Sequence, residues 1–223
     1  MNYKTIIWDW NGTLLNDIDI CIEGMNVLLK ERSMPILDRA RYQEVFDFPV
    51  SKYYENIGFD FSKEVFEGPA LQFINEYIKR IKNSDLHSHS VPCLKTFKEN
   101  GMRQIILSAM KHSSLVKSVD HLGITGYFES INGIADDFAH SKTDLGKRIF
   151  KEQNIEPEST LMIGDTLHDY ETAQVLGIDC VLIADGHQSA ERLAKTGTLV
   201  YENLSEFLSQ NELFAKSCAE KTI

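Results

Sequence analysis

The stretch Thr5-Ile6-Ile7-Trp8-Asp9-Trp10-Asn11-Gly12-Thr13 opens with four residues that are apolar or β-branched without a break. That is the pattern of a short strand buried on both faces of a parallel sheet. The strand is expected to stop at the polar run Asp9 to Thr13, and the next apolar spacing is helical. Ile18, Cys21, Ile22, Met25, Leu28 and Leu29 recur at intervals of three and four. Pro35 and Pro49 interrupt the segment after that stripe, and Phe66 to Ile81 carries a second one. From Leu15 to Leu86 the pattern predicts helices and loops and no strand.

Beyond His89 the pattern alternates. A helix around Val91, Leu94 and Phe97 stops at Asn100-Gly101, and the strand Gln104-Ile105-Ile106-Leu107 leads to Ser108. A helix over Leu115 to Leu122, a short strand over Glu129 to Ile134 and a helix over Leu145 to Phe150 come next. The strand Leu161-Met162-Ile163, the helix Tyr170 to Leu176 and the strand Cys180 to Ile183 complete the series. Strands alternating with helices predict an α/β fold, a doubly wound parallel sheet covered on both faces. The expected division is a core of residues 1–14 and 87–223 with an all-helical insertion at 15–86.

Composition narrows the function. The 223 residues are 43% hydrophobic and 25% charged, which suits a globular core and excludes disorder or a disulfide scaffold. A net charge of −10 without a basic cluster argues against nucleic acid and anionic membranes as partners. A small anionic substrate stays open if a local cation offsets the field. The N-terminal residues lack a signal-peptide apolar run, and no stretch is long enough to span a membrane. Cys21, Cys93, Cys180 and Cys218 are scattered, so they are expected as reduced, mostly buried thiols in a cytoplasmic protein. His87 and His89 are expected at the surface, and His168 as an exposed histidine at a helix start.

In an open parallel sheet, ligands bind beyond the carboxyl ends of the strands. Asp9 and Asn11 come after the first strand, Ser108 after the second, and Gly164-Asp165-Thr166-Leu167-His168-Asp169 after a third, with Lys142 just ahead of a helix. Three carboxylates crowded at one sheet edge repel one another unless a cation joins them, and hard oxygen ligands point to Mg2+.

This ordered set resembles the haloacid dehalogenase superfamily of hydrolases, over residues 4–208. Ile6 to Thr13 is similar to its strand followed by Asp-x-Asp-Gly-Thr, Ile105-Ile106-Leu107-Ser108 to its strand ending in a hydroxyl, Lys142 to its lysine, and Gly164 to Asp169 to Gly-Asp-x-x-x-Asp. The resemblance implies a Rossmann-like core and a small helical cap, in the manner of phosphoglycolate phosphatases. It implies that Asp9 is the nucleophile on phosphorus, giving an aspartyl-phosphate that water hydrolyses. Magnesium would bind Asp9, the carbonyl of Asn11 and Asp165, with Asp169 ligating directly or through water. Ser108, Ala109, Lys142, Gly12 and Thr13 would bind the phosphate, and Phe48 and Lys52 would select the substrate, a small phosphorylated metabolite, in a monomer or homodimer.

One position departs from that pattern. Asn11 stands where the family has the aspartate that protonates the leaving group, and an amide cannot shuttle a proton. Loss of a general acid typically costs 10²- to 10⁴-fold, roughly 3 to 5 kcal/mol of barrier. Two alternatives therefore stand beside the phosphatase. One is phosphonate cleavage, for which Lys30 or Lys52 would have to supply an amine. The other is a phosphate-binding or regulatory protein whose turnover is lost through Asn11. Dehalogenation fits less well, because the Asp165 and Asp169 pair implies a metal.

Overall fold

The computed structural model describes residues 3–135 and 142–210. A six-stranded parallel sheet forms its centre, built from β1 (Thr5–Trp8), β2 (Arg103–Lys111), β3 (Ser130–Ile134), β4 (Thr160–Gly164), β5 (Asp179–Ile183) and β6 (Leu199–Tyr201). Their spatial order is β3-β2-β1-β4-β5-β6, so the opening strand lies at the centre, between β2 and β4. Ile7 sits opposite Ile105 on one side and Met162 on the other.

Alternation along each strand divides the apolar side chains between two cores. Ile6, Trp8, Ile106, Leu161, Ile163, Val181 and Ile183 face one of them, where Phe97 and Phe207 also pack. Ile7, Ile105, Leu107, Met162, Cys180 and Leu182 face the other, against Ile149 and Leu176. The polar Gln104 is tolerated inside β2 because both ends of its amide are satisfied. Trp8 Nε1 donates to its oxygen at 2.9 Å and its nitrogen donates to the Leu94 carbonyl at 2.8 Å.

Between β1 and the helix preceding β2 lie α1 (Ile18–Glu31), α2 (Arg39–Val45), α3 (Val50–Asn56) and α4 (Glu67–Ile81). No strand occurs among them; Leu15 and Leu86 form only an isolated bridge. The stripe read in α1 is buried, and with Leu37, Tyr42, Tyr53, Tyr54 and Phe59 it forms a third apolar cluster. The remaining helices are α5 (Ser90–Glu99), α6 (His112–His121), α7 (Lys142–Glu152), α8 (Leu167–Leu176), α9 (Ala190–Ala194) and α10 (Leu204–Gln210). The short elements α2, α3, α9, α10 and β6 were not legible in the sequence, since none is long enough to show a period. β2 runs four residues beyond Leu107, and its pairing with β3 shifts register between Ser108 and Lys111. Cys21, Cys93 and Cys180 are buried and unbridged, whereas Cys218 lies outside the described residues. No helix among the described residues is long and apolar enough to cross a membrane.

Phe97 is fully buried with its ring 5.7 Å from that of Trp8. Phe97→Ala is expected to cost about 3–5 kcal/mol, read as a lower midpoint in urea with an unchanged slope. A loss below ~1 kcal/mol would mean that this face of the sheet is not a packed core.

Candidate active site

The first residue past β1 is Asp9, whose backbone N–H continues the ladder by donating to the Ile163 carbonyl at 2.9 Å. Asp165 directly succeeds β4, and Lys142 is the first residue of α7. This geometry gathers Asp9, Asp165 and Asp169, each with an oxygen within 4.8 Å of the others. The Lys142 ammonium, only 2% exposed, is bonded to Asp9 Oδ1 and lies 2.5 Å from Asp169 Oδ1. The other Asp169 oxygen accepts from the Thr166 hydroxyl at 2.7 Å and from the Thr166 N–H at 3.0 Å, a capping box that starts α8. Asp165 is held by the Thr13 hydroxyl at 2.9 Å and by the His187 N–H at 2.6 Å. Two glycines permit this packing. A Cβ at Gly12, where φ is +76°, would lie 2.3 Å from Asp165 Oδ2, and one at Gly186 would lie 2.2 Å from it.

Three carboxylates face one ammonium here, so that among the described residues the group holds more acid than base. The titration of the group reflects that excess. Burial pushes the Asp9 carboxyl up to about 8; Lys142 opposes this, and Asp169 and Asp165 add to it. Burial raises Asp165 to about 6 against the pull of His187, with Asp169 adding to the rise. Burial works against the ionised Asp169 as well, but Lys142 and the Thr166 hydroxyl hold its pKa below the usual range. Burial likewise disfavours a charged Lys142, and Asp169 and Asp9 outweigh it, keeping the ammonium protonated. Hard oxygen donors in excess of the cations beside them fit a hard divalent metal ion.

Asp9, Asn11, Ser108, Ala109, Lys142 and Asp169 line one cavity of about 220 Å³ between the strand ends and helices α1 to α4. The Thr13 side chain is turned to Asp165, and the Ser108 hydroxyl accepts the Met110 N–H at 3.0 Å. Phe48 forms part of the cavity wall and stacks on His168, with ring centroids 4.6 Å apart. Lys52 is not among the lining residues; its ammonium lies 3.5 Å from Asp47. Lys30 is exposed near the end of α1 and does not line the cavity either.

Two histidine expectations are corrected. His168 is not an exposed helix-start residue: it faces the cavity, because α8 begins beside the carboxylates. His87 is not at the surface. It is 7% exposed with Nδ1 3.3 Å from the Asp185 carboxylate, because the chain returns to the sheet there under the loop after β5.

Sequence reading missed a second buried charge pair. Asp17 stands at the N-cap of α1, where an aspartate is ordinary, but it makes no side-chain cap. Its carboxylate instead accepts from the Asn11 amide at 2.8 Å, the Tyr77 hydroxyl at 2.7 Å and the Gly12 N–H at 2.9 Å, and lies 3.4 Å from His187 Nε2. Burial opposes charge on both partners. His187 still holds Asp17 below the usual carboxylate range, and Asp17, followed by Asp165, raises His187 to about 9. Tyr42 Oη meets the other His187 nitrogen at 2.9 Å. The one available signal was that Asp17 lies eight residues after Asp9, immediately before an apolar stripe.

A family model described as haloacid dehalogenase-like hydrolase matches residues 6–183. Phosphoglycolate phosphatase 1 of Pseudomonas aeruginosa is 26% identical over 218 residues, covering 92% of this chain and 78% of that protein. The structure of protein tyrosine kinase A from Mycobacterium tuberculosis superposes with a TM-score of 0.78 at 20% identity, over 93% of this chain and 97% of that one. CbbY from Rhodobacter sphaeroides, solved with phosphate, gives 0.70 at 15% identity, over 92% and 96%.

Magnesium is expected to raise the melting temperature by binding the native state, and Asp165→Ala is expected to remove most of that rise. Calorimetry finding the same magnesium affinity in both proteins would show that the cluster does not hold the ion.

Proposed function

The chain belongs to the haloacid dehalogenase-like hydrolases, and from the geometry of its carboxylate site we propose that it is a magnesium-dependent phosphatase of small phosphorylated metabolites. The observation that carries this reading is the buried cluster of Asp9, Asp165 and Asp169 around a single ammonium. Asp9 attacks phosphorus, the bond to the leaving oxygen breaks, and water then releases phosphate from the aspartyl-phosphate. Asp9, Asp165 and the Asn11 carbonyl would hold magnesium, with Asp169 contributing directly or through water. Bound there, magnesium would neutralise charge on the transferring phosphoryl group.

Lys142 has two roles at one atom. Its ammonium offsets the Asp9 carboxylate and, with the Ser108 hydroxyl and the backbone at Ala109, would bind the phosphoryl oxygens, whereas the Gly12 N–H is given to Asp17 and the Thr13 hydroxyl to Asp165. Asp169 is its positioning partner, itself fixed by the capping box of α8. Residues 15–86 serve as a cap over a core of 1–14 and 87–223, excluding water from the cavity. Phe48 supplies part of the substrate-selecting wall; Lys52, paired with Asp47, would act from the rim. The phosphonate alternative lacks support, since neither Lys30 nor Lys52 lines the cavity. The similarity to a phosphoglycolate phosphatase supports phosphomonoester hydrolysis as the reaction.

Asp9→Asn is expected to lower turnover of phosphate esters with magnesium by at least ~10³-fold, with an unchanged circular dichroism spectrum. Mass spectrometry of acid-quenched wild type should show phosphate on Asp9. Ordinary turnover by Asp9→Asn, or a wild type that binds phosphate and never turns over, would overturn the proposal.

A further inference from the structure

Besides the carboxylates, the cavity is lined mainly by aromatic and aliphatic side chains, among them Phe48, Phe73, Ile74, Tyr77 and Met110. The cationic side chains lining it, histidines aside, are Lys142, held by Asp9 and Asp169, and Lys111, at the end of the strand that carries Ser108. No arginine lines it among the described residues, so it offers no fork to receive a carboxylate. A dry cavity of ~150 Å³ takes a benzene ring, and this one measures about 220 Å³.

Asn11 adds a second constraint. Its amide nitrogen donates one hydrogen to Asp17 Oδ2 and the other to Tyr77 Oη, both at 2.8 Å. Tyr77 in turn gives its own proton to Asp17 Oδ2 at 2.7 Å. The carboxylate accepts only, so it fixes which way the amide points. What Asn11 has left is Oδ1, an acceptor. The position therefore holds no proton to give to a departing oxygen, and Tyr77 has none free either.

We infer that the site, read as the phosphatase proposed above, is built for aryl phosphates, esters whose leaving group is a phenol held among the cap aromatics. A phenolic hydroxyl has a pKa of about 10, whereas an alkoxide is about as basic as hydroxide, the conjugate base of water at about 15.7. A phenolate leaves without a general acid; an alkoxide does not. In the step itself, Asp9 forms a bond to phosphorus as the phosphorus–aryl oxygen bond breaks, and the electron pair leaves on the phenolate. Water then displaces Asp9 from phosphorus, and the phosphate released supplies the proton that converts phenolate to phenol. One water is consumed, and the products are a phenol and hydrogen phosphate. Tyr53, whose buried hydroxyl has no hydrogen-bond partner among the described residues, lines the same cavity and offers a hydrogen bond to a polar ring substituent.

Four substrates with wild-type enzyme and magnesium test this: phenyl phosphate, benzyl phosphate, phosphoglycolate and acetyl phosphate. Phenyl and benzyl phosphate share the ring and differ in leaving oxygen; benzyl phosphate and phosphoglycolate share an alkyl oxygen and differ in ring against carboxylate. Phenyl phosphate is expected to exceed benzyl phosphate in kcat/KM by at least ~10²-fold, the reach of a missing general acid. Benzyl phosphate is expected to have a lower KM than phosphoglycolate. The variant Asn11→Asp with Asp17→Asn, which installs an acid without a second carboxylate 2.8 Å away, should narrow the phenyl-to-benzyl ratio at least tenfold. A wild-type ratio below ten, or a preference for phosphoglycolate over benzyl phosphate, overturns the inference. Turnover of acetyl phosphate alone overturns it while leaving the hydrolase reading intact. Absence of turnover on all four removes the hydrolase reading, and this inference with it.

Discussion

A lysine ammonium buried between two carboxylates organises this molecule. Lys142 is 2% exposed and contacts Asp9 and Asp169, which are themselves almost wholly enclosed. Removing such charges from water is costly unless each is paired and hydrogen-bonded. Much of the surrounding structure meets that requirement. The capping box of α8 immobilises Asp169, while the Thr13 hydroxyl and the His187 N–H satisfy Asp165. The sheet order places β1 between β2 and β4, so that Asp9 stands beside both Ser108 and Asp165.

The second buried pair, Asp17 with His187, ties the inserted helices to that centre. Asp17 begins α1, whereas His187 lies in the loop after β5 and supports Asp165 through its backbone. The same loop meets α2 at several points. Tyr42 bonds to the His187 ring, Gln43 donates to the Gly186 carbonyl at 2.8 Å, and Gln188 donates to the Phe46 carbonyl at 3.0 Å. The position of α2 beside the cavity and the position of the Asp165 carboxylate are therefore fixed by one loop. Displacement of α2 would be felt at Asp165 through two hydrogen bonds.

The cavity wall and Asn11 bear on the same question from different directions. Aromatic lining favours an apolar leaving group, and the locked amide favours a group that departs without a proton. The two meet at Tyr77, which lines the wall from α4 and takes the second amide hydrogen, while Asp17 at the start of α1 takes the first.

Much of this was legible in the sequence because it is local. The unbroken apolar run before Asp9 reads as a buried central strand, and the stripes of α1 and α4 read as helices, because side-chain direction is set by backbone period alone. Asp9, Ser108 and Asp165 could be named because strand ends in a parallel sheet converge on one edge; Lys142 and Asp169, which stand on helices, were picked out by the resemblance of the ordered set to a known family. Asp17, His187, Tyr42 and Tyr77 could not, since nothing local distinguishes an aspartate that caps a helix from one turned inward to an amide. His87 and His168 were misplaced for the same reason: exposure depends on which distant loop or ring covers a residue. Tertiary structure alone decided that both hydrogens of the Asn11 amide are taken. The orientation of an amide is set by its partners, and these lie 6 and 66 residues away along the chain.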